Sequence, residues 1–501
     1  MNAQKNSAAH ATGLALALAF VVLQCLDITT YPLVNGDEAL LNDAGWQLAT
    51  TGRFRADILA LYHGSGEHYL WQVPGLGFAA AVSYELFGFG IWQTRLTSIL
   101  FGGLGVWAIF ALVRSITQGT TAGPTGAWLA ALSLFLWPDW MLTAKESRMD
   151  TAAIAALLLS SLLVVRSLRG GAPASLGRLF LAGLCTSVAT IFHSAALPWG
   201  AALGIVVFIF AANRFRSALV FGLGAAALGA AWLAYALQFP QEFQAQYLSL
   251  LLDRSGGGGI LERIAAEATR YGVELRRTPT LYLLALFALC GVIMGRLWTD
   301  PGRRMLLTLA ALVVFLHALV AGKHSGFYTL YPTTLIFCVI GIGVEACLAE
   351  SGAPHRRRWL AAGATVAALA FLANAAVFSV GPRVLAYWFQ GPQRDYALQM
   401  APLSSRLKPG DQVWGSAVAW FAVVKAGARQ DVFNWMGSMP EDPRPDPLRH
   451  KYAIVDRDDQ FIGREDYRKI LELGSDLPLV FGSPLADRPY TFDLWQSNAL
   501  P

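Results

Sequence analysis

The stretch Asn35-Gly-Asp-Glu38 follows the first apolar segment and decides how the rest of the chain is read. Asn caps helices well, and Glu38 stands at the third position of a capping box, so the pattern predicts a helix from about Gly36 to Thr51. Gly52 suits the end of that helix. Two acidic side chains therefore stand beside an apolar segment, where acids are rare unless they serve a function.

Composition places the chain among membrane proteins. It has 501 residues, of which 55% are hydrophobic and 14% charged, and its mean hydropathy is +0.45. This is more apolar surface than one water-soluble core would bury. The net charge of +5 is spread over short loops, which indicates membrane topology and not binding to nucleic acid. The cysteines lie inside apolar stretches without metal-ligand spacing, so we expect no metal site or disulfide framework from them.

Apolar stretches of about 20 residues predict a mainly α, polytopic bundle of about eleven membrane spans. Arginines in short loops mark the cytoplasmic side, which puts the N-terminus inside and the C-terminus outside. The stretch Val73 to Phe89 is broken by Pro74 and two glycines, so we expect it to lie in the interface or re-enter. The predicted spans are 12–33, 95–114, 123–140, 150–168, 178–195, 197–212, 217–238, 279–297, 304–321, 326–348 and 359–379.

The charge assignment gathers four loops on the outer side, 34–94, 141–149, 240–278 and 322–326. They belong to a predicted membrane module of residues 1–380. Beyond it the composition changes to Pro, Asp, Arg and Gln, with short apolar runs near residues 412, 453 and 479 and a predicted helix near 416–427. Residues 381–501 are therefore predicted to form a small soluble α/β domain on the outer side, with juxtamembrane helices beside it.

Asp37 and Glu38 are the first candidates for catalysis. They lie at the exit of the first span, below a loop rich in aromatic and basic residues. A carboxylate partly shielded from water there is suited to act as a general base. Helix capping explains the pair equally well, so both interpretations stay open. The loop also supplies Arg53 as a candidate cation, and Glu67 and His68 as candidates for lining a cavity.

A second cluster, Lys145-Glu-Ser-Arg-Met-Asp150, joins two spans. Most charged turns are simply solvated, but Arg148 and Asp150 stand at the entry to a span, where an ionisable pair is a functional candidate. His193 falls at the outer end of its span. A single histidine there is more often an interior hydrogen-bonding residue than a ligand, so we predict only that it lines a cavity.

A third cluster begins with Lys323 and His324 and continues through Tyr328 and Tyr331. A positive charge on the outer face breaks the charge bias of the loops, so Lys323 needs a partner there, and a phosphate is one. The alternative is a lysine that snorkels to the interface beside tyrosines of an aromatic belt.

Together these stretches resemble the GT-C glycosyltransferases. The resemblance covers about residues 12–350, and its nearest groups, of glycosyltransferase family 39 type, are the protein O-mannosyltransferases and the bacterial enzymes that move 4-amino-4-deoxy-L-arabinose onto lipid A. This chain has Phe192-His-Ser where the lipid A enzymes often have Thr-Lys-Gly. The motifs, in chain order, are the Asp37-Glu pair, Trp71-Gln-Val-Pro-Gly, Tyr84-Glu-Leu-Phe-Gly, Gln93-Thr-Arg-Leu-Thr, Arg148-Met-Asp and Lys323-His-Ser-Gly-Phe-Tyr.

The resemblance implies a sugar carried on a polyprenyl phosphate and inversion at the anomeric carbon. The acceptor would be a hydroxyl or phosphate of an envelope glycolipid, such as lipopolysaccharide, or of a polysaccharide, rather than of a protein. The reaction would take place on the outer, periplasmic face of a bacterial inner membrane. The resemblance implies that Asp37 or Glu38, together with Asp150, supplies the catalytic acids, and that Lys323 and Arg148 lie near the donor phosphate. The residues themselves add His324, Tyr328, Tyr331 and Arg53 as candidates for donor binding.

No cofactor is required by this chemistry, although the oxygens of the three acids are of a kind that binds a divalent metal. Two other classes remain open. A lipid or saccharide transporter would also be polytopic with buried charge, but the sequence lacks an inverted repeat. A non-catalytic membrane assembly protein would leave the clusters around Asp37 and Lys323 unexplained.

Overall fold

The computed structural model describes residues 2–118, 124–169, 174–255, 259–277, 300–320, 326–350, 376–432, 445–457, 464–481 and 489–500, with a few single positions between these ranges. The predicted span 279–297 lies outside the described residues, and so does about half of the predicted span 359–379.

Helices dominate the described chain, as predicted, and pack around one continuous core. In chain order they are α1 (Asn2–Cys25), α2 (Gly36–Thr51), α3 (Gly75–Phe87), α4 (Ile91–Thr117), α5 (Thr125–Leu136), α6 (Pro138–Lys145), α7 (Met149–Leu168), α8 (Leu176–Phe192), α9 (Leu197–Phe210), α10 (Arg214–Ala236), α11 (Pro240–Phe243), α12 (Ser249–Ser255), α13 (Ile260–Arg277), α14 (Pro301–Val320), α15 (Leu330–Glu350), α16 (Gly381–Arg394), α17 (Tyr396–Ser404) and α18 (Trp420–Lys425).

The chain is a multi-pass membrane protein. By length and apolar composition α4, α7, α10 and α14 can each cross a bilayer, and α5 with α6 would form a fifth, broken span. Further apolar helices in the described part are shorter, among them α3, α8 and α9. The count of about eleven spans and the interfacial placement of Val73 to Phe89 stay predictions.

Two predicted spans have different ends in the structure. α1 ends at Cys25, not at residue 33, and Pro32, which has no N–H, lies in the irregular segment that follows. The predicted span 123–140 is broken at Trp137, because Pro138 cannot continue a helix. α5 and α6 meet there at 57°. Because α6 extends to Lys145, much of the loop predicted at 141–149 is helix.

α2 is the predicted helix, and it packs closely on α3. The two backbones nearly touch at Gly45, where an added Cβ would lie 2.6 Å from the carbonyl oxygen of Gly77. The segment between α2 and α3 also contacts α2, since the Ile58 N–H donates to Asp43 at 2.9 Å and the Tyr69 hydroxyl donates to the Leu40 carbonyl at 3.4 Å. α2 is therefore fixed from two sides, which fixes the acidic residues at its start.

The C-terminal part contains a five-stranded mixed sheet in the order β2-β1-β3-β5-β4. β1 pairs in parallel with β2 and β3, whereas β5 pairs antiparallel with β3 and β4. The apolar run at residues 479–481 is not a strand in this sheet, and three strands not foreseen from the sequence, β2, β4 and β5, take part. The strands are β1 (Gln412–Gly415), β2 (Arg429–Asp431), β3 (Tyr452–Asp456), β4 (Tyr467–Leu473) and β5 (Phe492–Ser497).

The sheet region is anchored to the helical bundle by buried polar contacts. The Tyr490 hydroxyl accepts a hydrogen bond from the Val34 N–H at 2.6 Å, and Trp420 donates to Asp43 of α2 at 3.2 Å. Below these, the Asp27 carboxylate pairs with Lys145 and accepts a hydrogen bond from Arg383 Nε at 2.7 Å. The start of α2 is thus enclosed between the bundle and the C-terminal sheet.

Candidate active site

Asp37 owes its position to the cap of α2. The Asn35 side chain accepts a hydrogen bond from the Glu38 N–H at 3.2 Å, and the Glu38 carboxylate accepts one from the Asn35 N–H at 3.3 Å. This is the predicted capping box, and Gly52, with φ of 70°, ends the helix. The Asp37 side chain lies in the first turn and is 26% exposed, so it is open to a substrate.

Glu38 is not part of this open site, contrary to the catalytic role that the resemblance implied. Arg95 donates two hydrogen bonds to the Glu38 carboxylate, from Nε to Oε2 at 2.8 Å and from Nη2 to Oε1 at 2.7 Å. Both side chains are fully buried. The remaining Arg95 nitrogen donates to the carbonyl of Ile28 at 2.7 Å. Glu38 therefore locks α2 to α4 and to the end of the first span.

Arg148 joins the two other acids. Its Nη1 donates to Asp37 at 2.6 Å and its Nε donates to Asp150 at 3.2 Å. The segment around it is buried and not a solvated loop, and burial raises the pKa of Glu146 to about 8, with Arg148 acting in the opposite direction. Ser147, with φ of 50°, donates to the Thr94 carbonyl at 2.7 Å and fixes the turn before α7.

His193 completes the cluster from the break between α8 and α9. Its Nδ1 lies 3.1 Å from the buried Asp150 carboxylate and 2.8 Å from the Tyr331 hydroxyl. The ring of Tyr328 stacks on the imidazole at 5.5 Å between centroids. We call Asp37, Arg148, Asp150, His193 and Tyr331 the Asp37–His193 network.

A cavity of about 620 Å³ opens beside this network. Most of the cavity wall is apolar, as in a site that binds a hydrocarbon chain. The polar side chains that line it include two that the sequence reasoning missed, Arg263 and His317. Arg263 stands in a predicted outer loop and breaks the same charge bias that singled out Lys323, so that signal could have found it. The lining includes Trp71, Gln72, His193, Leu197, Tyr247, Leu250, Arg263, Leu316, His317 and Tyr328.

Three residues predicted for the site line a different cavity. Arg53, Glu67 and His68 lie around a space of about 1000 Å³ at the far end of α2, together with Arg55 and Trp232. Arg53 is therefore not grouped with the other candidates for donor binding. His68 stacks on Phe239, with ring centroids 3.6 Å apart.

Lys323 and His324 lie outside the described residues, and their roles stay predictions. The three acids do not form one metal site, because Arg148 lies between Asp37 and Asp150 and Glu38 is held by Arg95. Among the residues that the structure describes, no group of three or more His, Cys, Asp or Glu side chains is placed to bind a metal. The positive charge between Asp37 and Asp150 is that of the Arg148 guanidinium.

Comparison with known proteins agrees with this arrangement. Residues 72–235 match the family model of dolichyl-phosphate-mannose-protein mannosyltransferases. A crystal structure of ArnT from Cupriavidus metallidurans bound to undecaprenyl phosphate superposes with a TM-score of 0.61 at 15% identity, over 98% of each chain, and the apo structure of the same protein with 0.62. The chain has the GT-C glycosyltransferase fold. This confirms the predicted resemblance at the level of the fold.

A second GT-C relative is more distant. The oligosaccharyltransferase AglB from Archaeoglobus fulgidus, in complex with an inhibitory peptide and a dolichol phosphate, matches at a TM-score of 0.53 and 12% identity. The match covers 89% of this chain and 69% of that one. Among curated protein sequences there is no significant match to this chain.

Proposed function

We propose that this GT-C glycosyltransferase moves a sugar from a polyprenyl-phosphate donor to a hydroxyl or phosphate of an acceptor, with inversion at the anomeric carbon. The observation that carries the proposal is the position of Asp37, a partly exposed carboxylate linked through Arg148 and Asp150 to the wall of an apolar cavity. An inverting displacement needs a base on the acceptor side of the reacting carbon. It also needs a binding site for the departing polyprenyl phosphate on the opposite side.

The cavity fits the donor in shape and polarity. Its apolar wall suits an isoprenoid chain, whereas Gln72, Arg263 and Tyr328 offer hydrogen-bond donors to a phosphate at its polar side. The related ArnT structure was solved with undecaprenyl phosphate bound. These two facts support a polyprenyl-phosphate donor for this chain, with Lys323 and His324 as further candidates to contact the phosphate.

Asp37 is the proposed general base. It takes the proton from the acceptor hydroxyl while the oxygen attacks C1 of the sugar, and the bond from C1 to the phosphate oxygen breaks. Arg148 orients the base from one side and Asp150 fixes Arg148 from the other. The base therefore keeps its direction when the acceptor arrives.

We place the reaction on the outer face of a bacterial inner membrane, with the C-terminal domain on the same side. The charge bias of the loops supports this orientation. The acceptor is proposed to be an envelope glycolipid or polysaccharide.

The test is sugar transfer by purified protein in nanodiscs, supplied with polyprenyl-phosphate sugars and envelope lipids and followed by mass spectrometry. Asp37→Asn should lower turnover by roughly 10²- to 10⁴-fold and leave donor binding intact. The matched control is Asp57→Asn, since Asp57 is also 26% exposed and also paired with an arginine, Arg55 at 3.3 Å. Full activity in a folded Asp37→Asn protein would overturn the assignment of the base.

A further inference from the structure

We propose that His193 is a catalytic residue that donates a proton to the departing polyprenyl phosphate. The inference rests on the proposed function and adds a general acid to it. The family resemblance gave His193 no such role, and the sequence predicted only that it lines a cavity. Its contacts in the structure are those of an oriented acid.

The ring orientation of His193 is fixed by its backbone and by one nitrogen. The residue is extended, with φ of −153° and ψ of 129°, at the break between two helices. Nδ1 faces the buried carboxylate of Asp150 and the hydroxyl of Tyr331. Nε2 is on the opposite edge of the ring, and none of the hydrogen bonds among the described residues uses it. Since His193 lines the cavity, Nε2 is the nitrogen left for a ligand.

The Asp150 carboxylate lies 3.1 Å from Nδ1 of His193, and Nδ1 shares a hydrogen bond of 2.8 Å with the Tyr331 hydroxyl. A buried carboxylate this close to Nδ1 stabilises the imidazolium, and it leaves Nε2 as the nitrogen that faces away from both partners. Asp150 is fully buried and also receives Arg148, so it cannot turn away. We infer that Asp150 acts as a positioning residue for His193 and Arg148 together.

Several titratable groups face His193, and any dependence of its charge on pH reflects all of them. Asp150 favours the imidazolium and Arg148 disfavours it, whereas the tyrosines beside the ring are neutral near pH 7. The groups from the neighbouring elements are Asp150 and Arg148 at the start of α7, Tyr328 and Tyr331 at the start of α15, His317 on α14, Arg263 on α13 and Tyr247 before α12.

The step balances in atoms and charge. The acceptor oxygen forms a bond to C1 and gives its proton to Asp37, and the electron pair of the C1–O bond goes to the phosphate oxygen. His193 gives the Nε2 proton to that oxygen, so the product is a polyprenyl phosphate monoester. Asp37 and His193 return to their starting states by exchange with water.

The first test is the pH dependence of turnover in the unmodified protein. Because the imidazolium is the active form, turnover should fall as the pH rises, by up to about tenfold per pH unit. This measurement needs no variant, and melting temperatures taken over the same pH range separate loss of the proton from loss of the fold. Turnover that stays level up to pH 9 would overturn the proposal.

The second test uses His193→Gln, which keeps a hydrogen-bonding side chain but cannot donate a titrating proton. Turnover should drop about 10²-fold near neutral pH, and its decline at high pH should disappear. Binding of undecaprenyl phosphate should weaken by no more than about tenfold, which separates proton donation from simple donor binding. His63→Gln is the control, because His63 is exposed on the outer loop and should keep the unmodified rate and pH profile.

The two proposals fail in different ways. If the unmodified protein moves no sugar from any polyprenyl-phosphate donor, the proposed function is wrong. If it moves sugar but His193→Gln retains both the rate and the decline at high pH, the proposed function stands and the role of His193 is wrong.

Discussion

Two neighbouring acids, Asp37 and Glu38, have opposite environments. Asp37 is 26% exposed and bound to one arginine that also serves Asp150, whereas Glu38 is fully buried in a two-point contact with Arg95. A capping-box glutamate with a buried arginine as partner is a structural element. Asp37, the partly exposed acid beside it, is the one that a substrate can reach.

Replacing Glu38 should therefore affect stability before it affects catalysis. Glu38→Gln leaves the Arg95 charge buried without its partner, which typically costs about 3–5 kcal/mol in unfolding free energy. We expect a marked fall in melting temperature in detergent. Glu85→Gln, at an exposed position on α3, is the control and should melt like the unmodified protein. An unchanged melting temperature for Glu38→Gln would contradict the structural role.

Asp43 is a second buried acid of α2 and predicts a dependence of stability on pH. Burial raises its pKa to about 7, although the N–H of Ile58 and the side chains of Gln47 and Trp420 act in the opposite direction. The folded protein then holds a proton that the unfolded chain has already lost. Stability from this group is thus greatest near pH 4 and is lost as the pH rises to about 7.

The expected result is that Asp43→Asn flattens this decline. Melting temperatures of the unmodified protein and of Asp43→Asn, measured from pH 5 to pH 8, should diverge as the pH rises, with the variant losing less. Parallel curves would show that Asp43 does not titrate in this range.

The local parts of the site were accessible from the sequence and the long-range pairs were not. The capping box involves residues three apart, so Asn35 and Glu38 could be recognised from spacing alone. The partner of Glu38 is 57 residues away and the contact from Arg148 to Asp37 spans 111, so neither follows from any local pattern. The role proposed for His193 follows from its contacts with Asp150 and Tyr331, which are also distant in sequence.

At the scale of elements, the start of α2 is fixed by its packing on α3. A Cβ at Gly45 would lie 2.6 Å from the Gly77 carbonyl and 2.8 Å from the Ala80 side chain. Both neighbours belong to a helix that cannot shift freely, since Gly75 at its start is equally tight against the backbone of Ile191. The site therefore depends on close contact between helix backbones.

Gly45→Ala should push the two helices apart and lower stability by about 1–3 kcal/mol, the usual cost of overpacking. Gly229→Ala is the matched control, because Gly229 is also within a helix but nothing lies within 4 Å of its added Cβ. That change should be neutral or stabilising, since alanine favours helix more than glycine. If Gly45→Ala unfolds at the same temperature as Gly229→Ala, the close contact is not required.

The strands of the C-terminal sheet show why elements were missed. β4 carries Arg468, Lys469 and Glu472 on exposed positions, so its apolar content is too low to mark it as a strand. It is stabilised by pairing with β5, whose partner residues come some 25 positions later. The apolar run near residue 479 was the stronger signal but belongs to an irregular segment, with Phe481 89% exposed.

At the scale of the whole molecule, the orientation in the membrane decides where the site faces. Consecutive exposed aromatic residues, Tyr387, Trp388 and Phe389, lie on α16 directly after the last apolar segment. Such residues are typical of the boundary between membrane and water. They support a C-terminal domain that begins at the membrane surface.

Labelling with an impermeant thiol reagent checks the orientation. In a background without native cysteines, a cysteine in place of Lys425 should react in intact cells, because this exposed residue belongs to the C-terminal domain that we propose lies outside. Cysteines in place of Arg178 or Arg216 should react only after the membrane is opened, because both arginines lie in loops predicted to be cytoplasmic. The reverse pattern would place the Asp37–His193 network on the cytoplasmic side.

The contact of Asp27 with Lys145 and Arg383 has a consequence for biosynthesis. Asp27 lies just after α1, Lys145 at the end of α6 and Arg383 at the start of α16, and the contact from Asp27 to Arg383 spans 356 residues. At a ribosomal rate of about 5–20 residues per second, roughly 20–70 s separate the emergence of Asp27 from that of Arg383. Until then the carboxylate has one of its two cations. The nascent chain thus completes this buried cluster of charges only when translation reaches the start of the C-terminal region.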